Sequence, residues 1–401
     1  MSLDPARHEP LQRIAWDAAG ARSALQQIVA EAEAGFSPQH FWACHPQDAD
    51  TPRRAALTPL YFGALGVIWA LQHLREVAAV QVSRDYGVHL EALQAANRSW
   101  LGDEYEAAKG SYLMGDTPFA LLAAAAEPGS APLQQRLESL IAQNIDHPAR
   151  ELMWGAPGTL LAALFMYERT EDDRWAHWFR LTARQLWAQL QWSPEHACHY
   201  WTQDLYGTRA TYLDAVHGFV ATASPLIRGR ALLAPSQWDA WQECIIRTVG
   251  RTATWSAAQV NWQAQLLVPQ GASPRFLMQF CHGAPGFVIC LGDLPSAALD
   301  RLLIAAGETI WAAGPLRKGS NLCHGTGGNG YAFLKLYRRT GEPRWLERAR
   351  AFAMHGIGQT DADRRRYGQG RYSLWTGDIG FAIYLWHCLQ GTAAFPTLDV
   401  F

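Results

Sequence analysis

The feature that most constrains this chain is a repeat. A glycine-containing turn that opens an apolar helical stretch recurs seven times, 40 to 65 residues apart. The copies read LYFGALGVIWALQHL near Gly63, SYLMGDTPFALLAAAA near Gly115, ELMWGAPGTLLAALFMYERT near Gly155 and YLDAVHGFVATASPLI near Gly218. They continue as QFCHGAPGFVICLGDL near Gly283, NLCHGTGGNGYAFLKLYRR near Gly325 and YSLWTGDIGFAIYLWHCL near Gly377. Each period has room for two helices and a loop. Between the turns lie amphipathic segments such as DRWAHWFRLTARQLWAQLQW (173–192) and PRWLERARAFAMHGI (343–357), whose apolar residues recur at three and four. Alternating β-branched runs are nearly absent, so the spacing predicts an all-α chain. The turn-led helices are apolar nearly all round and are expected inside, with the amphipathic ones outside. Seven helical hairpins with no polar capping repeat predict closure into an α/α toroid rather than an open solenoid. The expected layout is an N-terminal helical segment over residues 1–50 and a single toroid domain over 51–401, its turns gathered at one end.

Composition narrows the function. With 401 residues, 49% of them hydrophobic, the chain can bury a large core. A formal net charge of −2 without a basic stripe argues against nucleic acid or an anionic membrane as partner. No uninterrupted apolar run reaches the roughly 18 residues of a membrane span, and MSLDPARHEP lacks the basic-then-apolar layout of a signal peptide. Seven cysteines, an odd number, fit a reducing cytoplasm with free or metal-bound thiols better than a disulfide framework. The 18 tryptophans suit packed helix pairs, and they also suit sugar-binding clefts. A carbohydrate-active enzyme, however, needs paired carboxylates and has no use for Cys-His-Gly twice.

That doubled motif carries the chemistry. Cys281 and the pair Cys323 and His324 sit at equivalent positions of adjacent repeats, so a closed ring would bring them together. Two thiolates and an imidazole form a zinc set, and three protein ligands leave a fourth position open, as catalytic zinc requires. His282, which follows Cys281, is compatible with binding the metal, donating a proton or bonding a neighbour. His217 occupies the same turn position in the fourth repeat and reads as a proton shuttle or as a satisfied buried histidine. Asp116 and Asp378 also stand at turns, where helix capping is the simpler reading. HACH (196–199) falls in a polar stretch between repeats, and the remaining cysteines lack partners at ligand spacing. Zinc held by two thiolates is a poor activator of water. It is well suited to binding a third sulfur, which loses its proton and stays nucleophilic. The expected reaction is thiolate attack on an electrophilic carbon, followed by protonation of an enolate. A non-catalytic zinc protein that binds a peptide or partner is the main alternative.

The CHGAPG and CHGTGGNGYA motifs, within the seven turns, make the chain resemble the lanthionine cyclases and wider LanC-like proteins. The resemblance implies an α/α toroid with Zn2+ bound through Cys281, Cys323 and His324. It implies addition of a cysteine thiol to dehydroalanine or dehydrobutyrine, with His217 as the family's acid/base histidine and His282 as a further candidate. Three positions depart from the bacterial peptide-cyclising pattern. His282 replaces a tyrosine, as in eukaryotic LanC-like proteins; Leu277 replaces an arginine, with Arg275 nearby; and Thr376 replaces a glutamate. The implied partners are a dehydrated peptide or protein and a thiol, either a peptide cysteine or glutathione. With no dehydratase region in the chain, the electrophile would come from a separate enzyme.

Overall fold

The computed structural model describes residues 4–48, 56–268, 271 and 273–401. The expected boundary between residues 50 and 51 lies outside them. Every predicted turn-led helix is present: Ala64–Glu76, Thr117–Ala126, Ala156–Thr170, Phe219–Arg228, Ala284–Leu291, Thr326–Thr340 and Asp378–Gln390. The turn glycine is needed for close approach. A Cβ at Gly63, Gly115, Gly155, Gly218, Gly283, Gly325 or Gly377 would lie under 3.0 Å from backbone of the preceding turn. Gly283 alone of these also has a positive φ, 107°. Prolines 118, 157 and 285 occupy the first helical turn, where a missing N–H costs nothing. Left-handed Gly341, Gly368 and Gly391 end their helices.

The chain divides into two compact units, Glu104–Ile310 and Asp4–Asp103 with Trp311–Phe401. In the first, the four turn-led helices pack each on the next, and Ala131–Asn144 and Asp173–Ala188 pack on the turn-led helices that precede them. The burial follows the sequence pattern. Every residue from Ala156 to Met166 is buried. Asp173–Ala188 buries only the stripe Trp175, Ala176, Phe179, Thr182, Ala183 and Leu186. This unit also holds four short antiparallel hairpins, Gln191–Ser193 with Cys198–Tyr200, Gln203–Leu205 with Thr208–Ala210, Thr254–Ser256 with Gln259–Asn261, and Met278–Gln279 with His282–Gly283. They are too short to show as alternating runs in sequence.

In the second unit, Asp378–Gln390 packs on both Thr326–Thr340 and Ala64–Glu76, and Ala18–Ala34 runs along Asp378–Gln390. Pro343–Tyr367 covers Thr326–Thr340. The C-terminal stretch is tied in by Trp375 Nε1 donating to Thr397 Oγ1 at 3.1 Å and by Lys335 Nζ pairing with Asp399 at 2.8 Å. Lys335 is buried, so its charge requires that partner. Among the described residues no helix is long and apolar enough to cross a membrane, and no cysteine of the seven forms a disulfide.

Candidate active site

The turns share internal wiring that fixes their side chains. In four of the seven turns the side chain four residues before the glycine accepts the N–H of the residue just before that glycine. Glu151 does so for Trp154 (2.5 Å), Asp214 for His217 (3.1 Å), Asn321 for His324 (3.0 Å) and Ser111 for Met114 (3.0 Å). The wiring satisfies N–H groups that the turn would otherwise leave unpaired. It also fixes the direction in which the residues one and two before the glycine point. Those two positions are occupied by His217 and by Cys323 and His324, and also by Cys281 and His282, whose turn is held differently, with Gln279 bonded to Cys281 Sγ.

In the first unit, His217 Nδ1 donates to the fully buried Glu151 at 2.8 Å. Burial opposes the imidazolium, but the hydrogen bond and charge of Glu151, with help from Asp214 and Cys281, outweigh it and raise the pKa to about 9. His282 Nδ1 donates to Asp214 Oδ2 at 2.6 Å. Burial again opposes charge, and Asp214 and Cys281 overcome it, so this pKa too is raised. The Tyr212 ring adjoins both imidazoles, with centroids 5.8 and 6.0 Å away. Cys281 lies in the two-residue turn between Gln279 and His282, buried, and accepts a hydrogen bond from Gln279 Nε2 at 2.9 Å. A cavity of about 280 Å³ opens beside His282, lined also by Tyr212, Gln265, Arg275 and Leu277. A second cavity, about 320 Å³, is lined by Arg184, Trp187 and Trp241 and has no cysteine, histidine or carboxylate in its wall.

In the second unit, Cys323 is buried and its backbone N–H donates to Trp375 O at 2.8 Å. Its sulfur accepts from the Tyr61 hydroxyl at 2.7 Å. Among the described residues no carboxylate bonds the His324 ring. Burial, Lys318, Arg371 and Arg7 all disfavour the imidazolium, Asp48 only partly opposes them, and the pKa falls to about 4. His324 is therefore neutral at pH 7, with the lone pair that metal ligation needs.

Of the residues singled out in sequence, Cys281, His282 and His217 belong to the first unit and Cys323 and His324 to the second. Among the described residues no three His, Cys, Asp or Glu side chains form a group able to hold a metal. The chemistry of the donor set nevertheless fits zinc: two sulfurs, each facing a neutral donor, and one imidazole held uncharged. Neither turn aspartate caps its own helix. Asp116 accepts from Tyr105 at 2.9 Å and pairs with Arg136 at 3.3 Å, and Asp378 accepts the Arg371 N–H at 2.9 Å. HACH is not a metal cluster: Cys198 is buried in a hairpin strand and His199 packs edge-on to Trp192. Leu277 is buried, Arg275 is exposed on the cavity rim, and Thr376 bonds Ser373 at 2.8 Å within its own turn. Glu151, Asp214, Tyr61 and Gln279 escaped the sequence reading. For three of them the available signal was the polar residue four positions before a turn glycine.

The model of the lanthionine synthetase C-like protein family matches residues 58–400, and the chain belongs to that family. A Danio rerio protein named glutathione S-transferase LANCL1 is 34% identical over 160 residues, 35% of this chain and 38% of that protein. An Arabidopsis thaliana protein named LanC-like protein GCL1 is 40% identical over 89 residues, 20% of this chain and 19% of its own length. The chain thus spans less than two fifths of either relative. Among solved structures, nisin cyclase superposes with a TM-score of 0.60 at 15% identity, covering 92% of this chain and 94% of that one. That likeness is one of fold, and it places the chain in the α/α-toroid class that the repeat predicts.

Proposed function

We propose that this chain catalyses zinc-dependent addition of a thiol to dehydroalanine or dehydrobutyrine residues. The observation that carries the reading is the pair of histidine–carboxylate couples, Glu151–His217 and Asp214–His282, set around Tyr212 close to Cys281. Cys281, Cys323 and His324 would hold the metal. Zinc in such a set supplies acidification of a bound thiol, which stays nucleophilic as the thiolate. The substrate sulfur then adds to the β-carbon of the dehydroamino acid, and the C=C pair moves to the α-carbon and its carbonyl as an enolate. His217, protonated at neutral pH, gives its Nε2 proton to the α-carbon while Glu151 keeps Nδ1 engaged. His282, held by Asp214 at the cavity, donates a hydrogen bond to the carbonyl oxygen where charge gathers. The proton released by the thiol replaces the one His217 gives up, so thiol and dehydroamino acid combine into the thioether with nothing left over.

Glutathione is the thiol we favour over a cysteine of the same peptide, and the relative named glutathione S-transferase supports that choice. The electrophile would be made by a separate dehydratase. Seven cysteines without a disulfide fit a reducing cytoplasm. The test is to incubate zinc-loaded protein with glutathione and a dehydroalanine peptide and look for the adduct by mass. An adduct formed well above the uncatalysed rate is the expected result. Stoichiometric zinc with no acceleration would instead favour a partner-binding role.

A further inference from the structure

The mechanism above leaves two hydrogen bonds unused, and they do the same thing in separate parts of the molecule. The Tyr61 hydroxyl donates to Cys323 Sγ at 2.7 Å, and Gln279 Nε2 donates to Cys281 Sγ at 2.9 Å. We propose that Tyr61 and Gln279 cap these sulfurs so that the electrophile reacts with the incoming thiol and not with the enzyme's own cysteines. This inference rests on the reading that a thiol-reactive carbon visits the site.

The need for such a device follows from the chemistry. A dehydroamino acid brought to an incoming thiol can also be attacked by a resident cysteine, which is permanently in place at high effective concentration. Attack by Cys323 Sγ on the β-carbon, with a proton then delivered to the α-carbon, makes a stable thioether and ends the enzyme's life after one turnover. Three of the chain's other thiols are protected differently. Burial pushes Cys198 up to about 11, and Cys244 and Cys388 up to about 12. Cys281 and Cys323 are buried too, but on the proposed reaction the electrophile is brought to them, so their protection has to be local. A hydrogen bond into a sulfur lone pair withdraws the electrons a nucleophile would use, and a neutral donor leaves the charge of the site unchanged.

Both donors are rigidly placed. The Tyr61 carbonyl accepts the Trp375 N–H at 3.0 Å, Trp375 in turn accepts the Cys323 N–H, and the Tyr61 and Trp375 rings pack at 5.6 Å. Gln279 pairs with His282 across the hairpin whose turn contains Cys281, and its side chain is buried. Tyr61, moreover, stands two residues before its turn glycine, the position that Cys281 and Cys323 fill in their own repeats.

The experiment compares wild-type protein with Tyr61→Phe and Gln279→Met, each close in shape to the residue it replaces. Each, loaded with zinc so that both sulfurs are thiolates, is treated with iodoacetamide without thiol substrate, and alkylation is followed cysteine by cysteine by peptide mass mapping. Tyr61→Phe should alkylate at Cys323 roughly three- to tenfold faster with Cys281 unchanged, and Gln279→Met should do the reverse, as loss of one hydrogen bond implies. In cobalt-loaded protein each variant should move the thiolate-to-cobalt charge-transfer band to longer wavelength. Unchanged rates and an unmoved band would overturn the proposal, as would a rise spread over all the cysteines, which marks a loosened fold. If one variant does not fold, the other, in a different unit, decides. If the protein takes up no cobalt, the zinc reading falls, while alkylation of the metal-free protein at a pH high enough to ionise both thiols still decides the capping.

Discussion

His217 and His324 occupy the same position, one residue before a turn glycine, and the two units use them in opposite ways. Each has its backbone N–H accepted by the side chain three residues earlier. Each is mostly buried, and burial is the largest single influence on both. What differs is the surrounding charge. Glu151 and Asp214 surround His217 and hold it protonated up to about pH 9. Lys318, Arg371 and Arg7 surround His324 and keep it neutral down to about pH 4. The turn supplies position, and neighbours from elsewhere in the chain set the charge: a protonated imidazole in one unit, a neutral one in the other.

The largest effect expected from this contrast is on metal. His324→Ala or Cys323→Ala should reduce zinc, measured by elemental analysis, from about one equivalent to a small fraction of it, whereas His217→Ala should leave it near one. Chelation should abolish thiol addition while helical circular dichroism persists, because each unit has its own apolar core. Next in size is the rate. His217→Ala should slow addition by about 10²–10⁴-fold, as loss of a general acid does, and His217→Asn should be nearly as slow. A near-normal Asn variant would make His217 a packing residue.

A smaller effect sharpens the electrostatic half of the comparison. His217 acts as an acid only while protonated, so the rate should fall as pH rises through about 9. In Glu151→Gln the burial remains, the largest compensating charge is gone and only Asp214 and Cys281 still favour the imidazolium, so that limb should move well below 9. A limb that stays near 9 in the pH–rate profile would separate Glu151 from the proton transfer. The smallest effect is on stability. The folded pKa of His217 lies above its unfolded value, so the stabilisation from its pairing is full below pH 6.5 and lost as pH rises through about 9. His324 is shifted the other way, and its contribution is present above pH 6.5 and lost as pH falls towards 4. Thermal melts of wild type and Glu151→Gln between pH 6.5 and 9 should therefore converge as the pH increases.

The fold was legible because its signal is periodic and local. All seven turn-led helices begin where the glycines said they would, and the burial of Ala156–Met166 against the single stripe of Asp173–Ala188 follows the apolar pattern. The short hairpins were not legible, since strands of two or three residues leave no alternation to read. At the site, the thiols and histidines stood out as rare residue types in register. Their partners did not: Glu151 is 66 residues from His217, Asp214 is 68 from His282, and Tyr61 is 262 from Cys323. Glutamate, aspartate and tyrosine are common, and only the folded chain shows which of them meets a histidine or a sulfur. The turn aspartates misled for a related reason. A carboxylate at a helix start suggests a cap, but Asp116 and Asp378 turn to Tyr105 and Arg136, and to Arg371, instead.

The two units also differ in when they can come into being. Glu104–Ile310 is one continuous stretch, so a growing chain can fold it as soon as that stretch has left the ribosome. The unit containing Cys323 is assembled from both ends of the sequence. Glu9 reaches His355, Glu31 reaches Arg364 and Asp48 reaches Arg371, across 346, 333 and 323 residues. Its first hundred residues must wait through the synthesis of some two hundred more before their partners exist, with the apolar faces of Ala18–Ala34 and Ala64–Glu76 uncovered meanwhile. Ala18–Ala34 and Ala64–Glu76 are therefore the helices that wait longest for cover.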